Sequence, residues 1–215
     1  MTFLIVLLGW VFSLCLHEFS HAAVAYAGGD TTVREKGYLT FNPLKYTHPV
    51  YSILLPLLFL ALGGIGLPGG AVYIETWRLR SRAWKSAVSL AGPLSNLLLA
   101  IVLGVILAAS PISRDGIWPA ISFLAFLQVS ALVLNLIPLP PFDGFGVVEP
   151  FLPEGIQRSL AQVSGLLPWA VFFLLWYVPA VYDAFWTAVV YVTHALSVPL
   201  DLVELGLRDF RFWYR

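Results

Sequence analysis

Five stretches of this chain contain no Lys or Arg at all: residues 1–33, 46–77, 86–113, 115–157 and 159–207. Each is long enough to hold a helix of about 20 apolar residues, the length that crosses about 30 Å of hydrocarbon. The composition agrees, because 59% of residues are hydrophobic and 11% charged, where a soluble domain carries about 45–50% and about 25%. The reading is an all-α, multi-pass integral membrane protein with the lipid bilayer as its solvent. At 215 residues it is a single membrane-embedded domain, 1–215. The net charge is zero, so there is no basic footprint for nucleic acid. One cysteine, Cys15, excludes a disulfide within the chain and reads as a small packing residue.

The first apolar segment, residues 3–27, has no basic leader and runs on through a His-Glu-x-x-His cluster, so it reads as a permanent span rather than a cleaved signal. Gly28-Gly29-Asp30 stops it in the manner of a glycine C-cap. A polar stretch follows, and residues 31–33, 38–41 and 71–74 are predicted as short strands near it. The second segment, 50–62, holds Pro56 and ends in a glycine-rich run; it either spans or re-enters, the latter permitted where irregular backbone is buried in protein. Segments at 87–109 and 117–137 follow, the latter broken by Pro138, Pro140 and Pro141. Residues 153–164 predict an interfacial amphipathic helix. Residues 166–200 predict one kinked span or two close ones, and 201–215 an interfacial tail. The total is about 5–6 transmembrane or re-entrant helices. The basic run Arg78, Arg80, Arg82 and Lys85 is expected on the cytoplasmic side, and a re-entrant second segment would put the loop at 31–46 there too.

The sharpest chemical signal is His17-Glu18-Phe19-Ser20-His21. On a helix, residues four apart share a face, so two imidazoles can bind one ion. Zinc held this way lowers the pKa of its water to about 7, and the adjacent Glu18 can take the proton. Ionisable groups inside an apolar span are costly and mark functional sites by default. A third ligand is needed, and it is not local, because Val24 and Ala27 occupy the positions where a soluble enzyme's extended motif has Gly and His. His48, Asp143, Asp183 and His194 are the candidates. Asp143 follows three prolines that deny the chain helical hydrogen bonds. It serves equally well as a ligand or as the N-cap of the next helix.

Taken together, His17-Glu18-x-x-His21, Ala91-Gly92-Pro93-x-x-Asn96 and Asn135-x-x-Pro138-x-Pro140-Pro141-x-Asp143-Gly144 resemble the site-2 protease family of intramembrane zinc metalloproteases, in its compact prokaryotic branch. Gly28-Gly29-Asp30 and Asn42-Pro43-Leu44-Lys45 resemble that branch as well, and no inserted PDZ-like domain is visible. The resemblance covers the catalytic core, about 3–144; residues 145–215 fit in hydropathy only. It implies one Zn2+ per chain on His17, His21 and Asp143, with Glu18 catalytic. It also implies Asn96 and Asn135 as amides for the substrate strand or the oxyanion, or as helix–helix hydrogen bonds. The implied substrate is a membrane protein with a transmembrane segment, cut in a prokaryotic cell membrane. A substrate strand would pair near residues 31–41 or 71–74. His48 reads as an interfacial surface histidine, and Asp183 and His194 as structural or as an intramembrane pair. The competing readings are a non-catalytic zinc-binding scaffold and a metal transporter.

Overall fold

The computed structural model describes residues 1–46 and 72–214. The predicted second segment, its glycine-rich end and His48 lie outside the described residues. Among the described residues every regular element is helical. Three helices are long and apolar enough to cross a membrane: α1 (Thr2–Gly28), α3 (Arg82–Ala109) and α4 (Trp118–Asn135). Between α1 and α3 lies the single turn α2 (Thr32–Glu35), and after α4 come α5 (Asp143–Val148) and α6 (Glu154–Val163). The predicted 166–200 region forms two helices, α7 (Leu167–Tyr177) and α8 (Pro179–Ala195). They are bent by 93° and count as a fourth crossing if taken as one broken span. Pro179 lacks the N–H that would continue α7, which accounts for the break. The tail becomes α9 (Leu200–Phe210).

The helices pack around three apolar clusters. At the end where the chain starts, Val6 and Trp10 of α1 meet Phe123 and Leu127 of α4 and Val203 and Phe210 of α9. Val129 and Leu134 of α4 meet Val171 and Leu175 of α7 and Phe185 and Val189 of α8. Near the far end of α1, Cys15, Ala22 and Ala25 meet Val33, Tyr38, Tyr46, Leu79 and Val88.

The predicted strands are absent among the described residues. Residues 32–35 form α2, and residues 38–41 form no strand, 39–41 being bends. Residues 72–75 are unpaired backbone, because carboxylates take the N–H groups a ladder would use: Val72 N–H donates to Glu18 Oε2 (3.1 Å) and Glu75 N–H to Asp30 Oδ2 (2.8 Å).

Asp30 is fully buried and also accepts from Thr32 N–H and Thr32 Oγ1. It therefore ties the end of α1 to the returning chain, with Arg80 N–H on the Gly28 carbonyl (3.0 Å) and Lys36 Nζ on Glu75 (3.0 Å) as neighbours. Both basic loops thus sit at one end of the molecule. From there residues 37–46 fold back along α1, where Phe41 stacks on Phe12 and Phe19, and Tyr46 OH donates to the Cys15 and Thr40 carbonyls.

Candidate metal centre

His17, Glu18 and His21 sit on the inner face of α1, 6%, 4% and 6% exposed. Residue 21 lies about 10 Å of helix rise inside Gly28. The two imidazoles meet at their Nε2 atoms, 3.0 Å apart. Asp143 is the first residue of α5 and follows its N-cap, Phe142, so it does not occupy the capping position. It reaches both rings instead, Oδ2 lying 3.1 Å from His17 Nε2 and Oδ1 3.4 Å from His21 Nε2.

The chain is shaped to allow this. The turn after α4 closes with Leu139 N–H on the Ile137 carbonyl and Phe142 N–H on the Leu139 carbonyl. Gly144 packs directly on the Leu136 backbone carbonyl, where any Cβ would overlap it. Across the site Gly92 brings the backbone of α3 onto the two histidines, and a Cβ there would lie on top of both Nε2 atoms.

The other ring nitrogens are occupied. His17 Nδ1 is 2.7 Å from Asn96 Oδ1, and His21 Nδ1 is 2.7 Å from the Val88 carbonyl. The Val88 carbonyl is an acceptor, so His21 Nδ1 donates to it, and the Nε2 atoms of both rings face Asp143. Three possible ligand atoms converge, one from each residue and all within 4.8 Å of one another. A cation placed among them would be held by all three. The separations of 3.0, 3.1 and 3.4 Å are close to the roughly 3.3 Å edge of a tetrahedron built on bonds of about 2.0–2.1 Å, the bond length of zinc to His and carboxylate ligands. The donor set fits zinc, and the nitrogen and carboxylate ligands are those that zinc accepts.

A cleft of about 580 Å³ opens from the three residues, bounded by Val72, Ile74 and Thr76 on one side and by Gly146, Glu149 and Gln157 on the other. Asn135, the last residue of α4, lines this cleft, and its side chain has no hydrogen-bond partner among the described residues. Asn96 lies behind the histidines, its Nδ2 donating to Ser13 Oγ (3.1 Å) and Gln128 Oε1 (2.9 Å). Asp183 and His194 stand exposed on one face of α8, about 16 Å of helix rise apart. They are therefore not a contact pair, and neither joins the site. Sequence reading missed Asp30, Ser13 and Gln128. Ser13 gave a signal, since it lies four residues before His17 and so on the same helix face.

The chain is similar to the candidate zinc metalloprotease Rip2 of Mycolicibacterium smegmatis, 48% identical over 98% of this chain and 81% of the relative. It is 46% identical to Rip2 of Mycobacterium tuberculosis, over 98% of this chain and 81% of the relative. It is 32% identical to the candidate zinc metalloprotease YwhC of Bacillus subtilis, over 76% of this chain and 77% of the relative. No solved structure matches significantly. The family model described as peptidase family M50 matches residues 2–113, just over half of the chain, and together with the near full-length relatives this establishes that the chain belongs to peptidase family M50.

Proposed function

We propose that the protein is an intramembrane zinc metalloprotease that hydrolyses peptide bonds within or near the transmembrane segments of membrane proteins. The observation that carries this reading is the convergence of His17, His21 and Asp143 on one point, beside Glu18 and open to a cleft. In this reading the three residues hold one zinc per chain, and Glu18 is the catalytic residue. The whole chain acts as one multi-pass domain in a prokaryotic cell membrane. Zinc, when bound, supplies Lewis-acid polarisation of the scissile carbonyl and a water of lowered pKa.

The chain's own groups do the rest. Glu18, held by Val72 N–H, takes the proton of the attacking water and returns it to the leaving nitrogen. Asn135 lines the cleft, where its amide can stabilise charge developing on the substrate oxygen. A transmembrane helix conceals its peptide bonds, so substrate must unwind to be cut. Residues 72–75 run along the cleft without regular secondary structure, and an unwound substrate segment would lie beside them.

The test is zinc content together with cleavage of a transmembrane model substrate in detergent. Wild type is expected to hold one zinc and cut, Glu18→Gln to hold zinc without cutting, and Asp143→Ala to lose zinc. Undiminished cleavage by Glu18→Gln would overturn the mechanism.

A further inference from the structure

All three residues of the candidate metal centre are placed against one helix. On α3, the Val88 carbonyl takes His21 Nδ1 (2.7 Å), Asn96 meets His17 Nδ1 (2.7 Å), and Gly92 leaves room for both rings. Asp143 arrives separately, on α5, which has six residues. A helix so short is marginal by itself, so its place and its form come from what it packs on.

Two contacts with α3 hold α5. Ser86 Oγ donates to the Val147 carbonyl at 2.6 Å, joining residues 61 apart in the chain. That carbonyl is among the last four of α5, which a helix end leaves short of donors. A helical serine ordinarily returns to the carbonyl four residues back. Here the Arg82 carbonyl is 3.5 Å away, so the hydroxyl is committed to α5 instead. One turn further along α3, Ser89 meets Gly146. A Cβ on Gly146 would overlap Ser89 Oγ and come within 3.0 Å of Ser89 Cβ. Turning the hydroxyl aside would relieve the first contact but not the second, so this approach depends on glycine. The contacts form a register. Ser86, Ser89 and Gly92 follow one another at intervals of about one turn on α3. In that order they meet Val147, Gly146 and the point where Asp143 reaches the histidines. α5 therefore runs antiparallel to α3, and Asp143 and Gly146, three residues apart, share one of its faces. Sliding α5 along α3, or lifting its far end, moves the carboxylate relative to rings that α3 holds independently. Ligand distances in metal sites vary by only about 0.2 Å, so a small displacement of α5 is felt at the ion.

We propose that Ser86 and Gly146 are positioning residues that set the register of α5 on α3 and so hold the Asp143 carboxylate where it meets both histidines. This deepens the metalloprotease reading and rests on Asp143 being a ligand. One helix, α3, then serves as the common reference for all three ligands, although it supplies none of them.

The experiment uses the whole chain in detergent, with zinc affinity read by chelator competition and the Tm of the metal-free protein read by circular dichroism. Asp143→Ala marks complete loss of the ligand. Ser86→Ala is expected to weaken zinc about tenfold, the lower end of what an outer-shell partner contributes. Its metal-free Tm should stay close to that of wild type, because alanine is the better helix former. Ser86→Thr keeps the hydroxyl and should bind zinc as wild type does. Gly146→Ala should also weaken zinc. Adding Ser89→Gly to it restores the space and should recover the affinity, although a glycine in mid-helix lowers stability. Affinity and stability then move in opposite directions, which a merely structural role does not produce. Wild-type affinity in both Ser86→Ala and Gly146→Ala overturns the proposal. So does a Ser86→Thr protein as weak as Ser86→Ala, or a Gly146→Ala loss that Ser89→Gly fails to recover. If Ser86→Ala does not fold, the Gly146→Ala and Ser89→Gly pair decides by the same readouts. A wild type that binds no zinc, or an Asp143→Ala protein that binds it normally, defeats the metalloprotease reading and this proposal with it. Loss of zinc in Asp143→Ala beside wild-type affinity in Ser86→Ala and Gly146→Ala defeats the proposal alone.

Discussion

The backbone N–H of Val72 donates to the carboxylate of Glu18 at 3.1 Å, joining residues 54 apart in the chain. Glu18 is on a rigid helix and Val72 on the chain returning toward α3, so this bond fixes one oxygen of the acid and leaves the other for the cleft. A hydrogen bond to a charged group contributes about 1.5–3 kcal/mol. Val72→Pro removes the donor, while Val72→Ala keeps it. Cleavage by Val72→Pro is expected to fall at least about tenfold, since each 1.36 kcal/mol is tenfold in rate, with zinc content unchanged; Val72→Ala should stay close to wild type. Equal activity in the two variants would show that the bond does not orient the acid.

Gly92 provides a second test, of the space around the ion. Its missing Cβ is what lets α3 lie against both imidazoles. Gly92→Ala puts a methyl group where the two Nε2 lone pairs converge, and Ala is also the better helix former by about 1 kcal/mol. The variant is therefore expected to fold, with helical content by circular dichroism like that of wild type, yet to lose zinc and cleavage together. A zinc-loaded Gly92→Ala would mean that the ion does not sit between the histidines.

The parts of this site that were legible in the sequence are those that follow a local period. His17, Glu18 and His21 lie within five residues of one helix, and α-helical spacing alone puts both rings on one face. The structure brings Asp143 to that pair. The residues offered it only as one of four candidates, because no periodicity links positions on different helices, and motif resemblance singled it out. Ser13 and Gln128 meet across 115 residues, and Asp30 meets Glu75 across 45. Such contacts depend on how whole helices pack, which composition does not report. Residues 71–74 were expected as a short strand, but two buried carboxylates, Glu18 of α1 and Asp30 just past its end, take the Val72 and Glu75 backbone donors.

The clasp at that end of α1 is pH-sensitive. Hydrogen bonds from Lys36 and then Arg78 hold Glu75 below its ordinary value of 4.5. A carboxylate whose folded pKa is depressed contributes stability above the unfolded value and loses it as pH falls toward the folded one. The Tm difference between wild type and Glu75→Gln should therefore be full near about pH 7 and shrink below the unfolded value of 4.5. A difference that stays constant through that window would mean that the ion pairs do not couple Glu75 to folding.

The final prediction concerns orientation. The ties between Gly28 and Arg80 and between Lys36 and Glu75 gather Arg34, Lys36, Arg78, Arg80, Arg82 and Lys85 at one end. The opposite end carries Arg114, paired with Asp201, and the tail residues Arg208 and Arg211. Excess Lys and Arg marks the cytoplasmic side, so the cleft is expected to open toward the cytoplasm and the start of α1 to face out. Single cysteines at exposed Ala83, in the first turn of α3, and Ile112, three residues past its last, mark the two ends of that helix in a Cys15→Ser background. A membrane-impermeant maleimide on intact cells should label Ile112→Cys directly and Ala83→Cys only after permeabilisation. The reverse pattern would place the cleft outside, and a substrate would then have to be presented from the external leaflet.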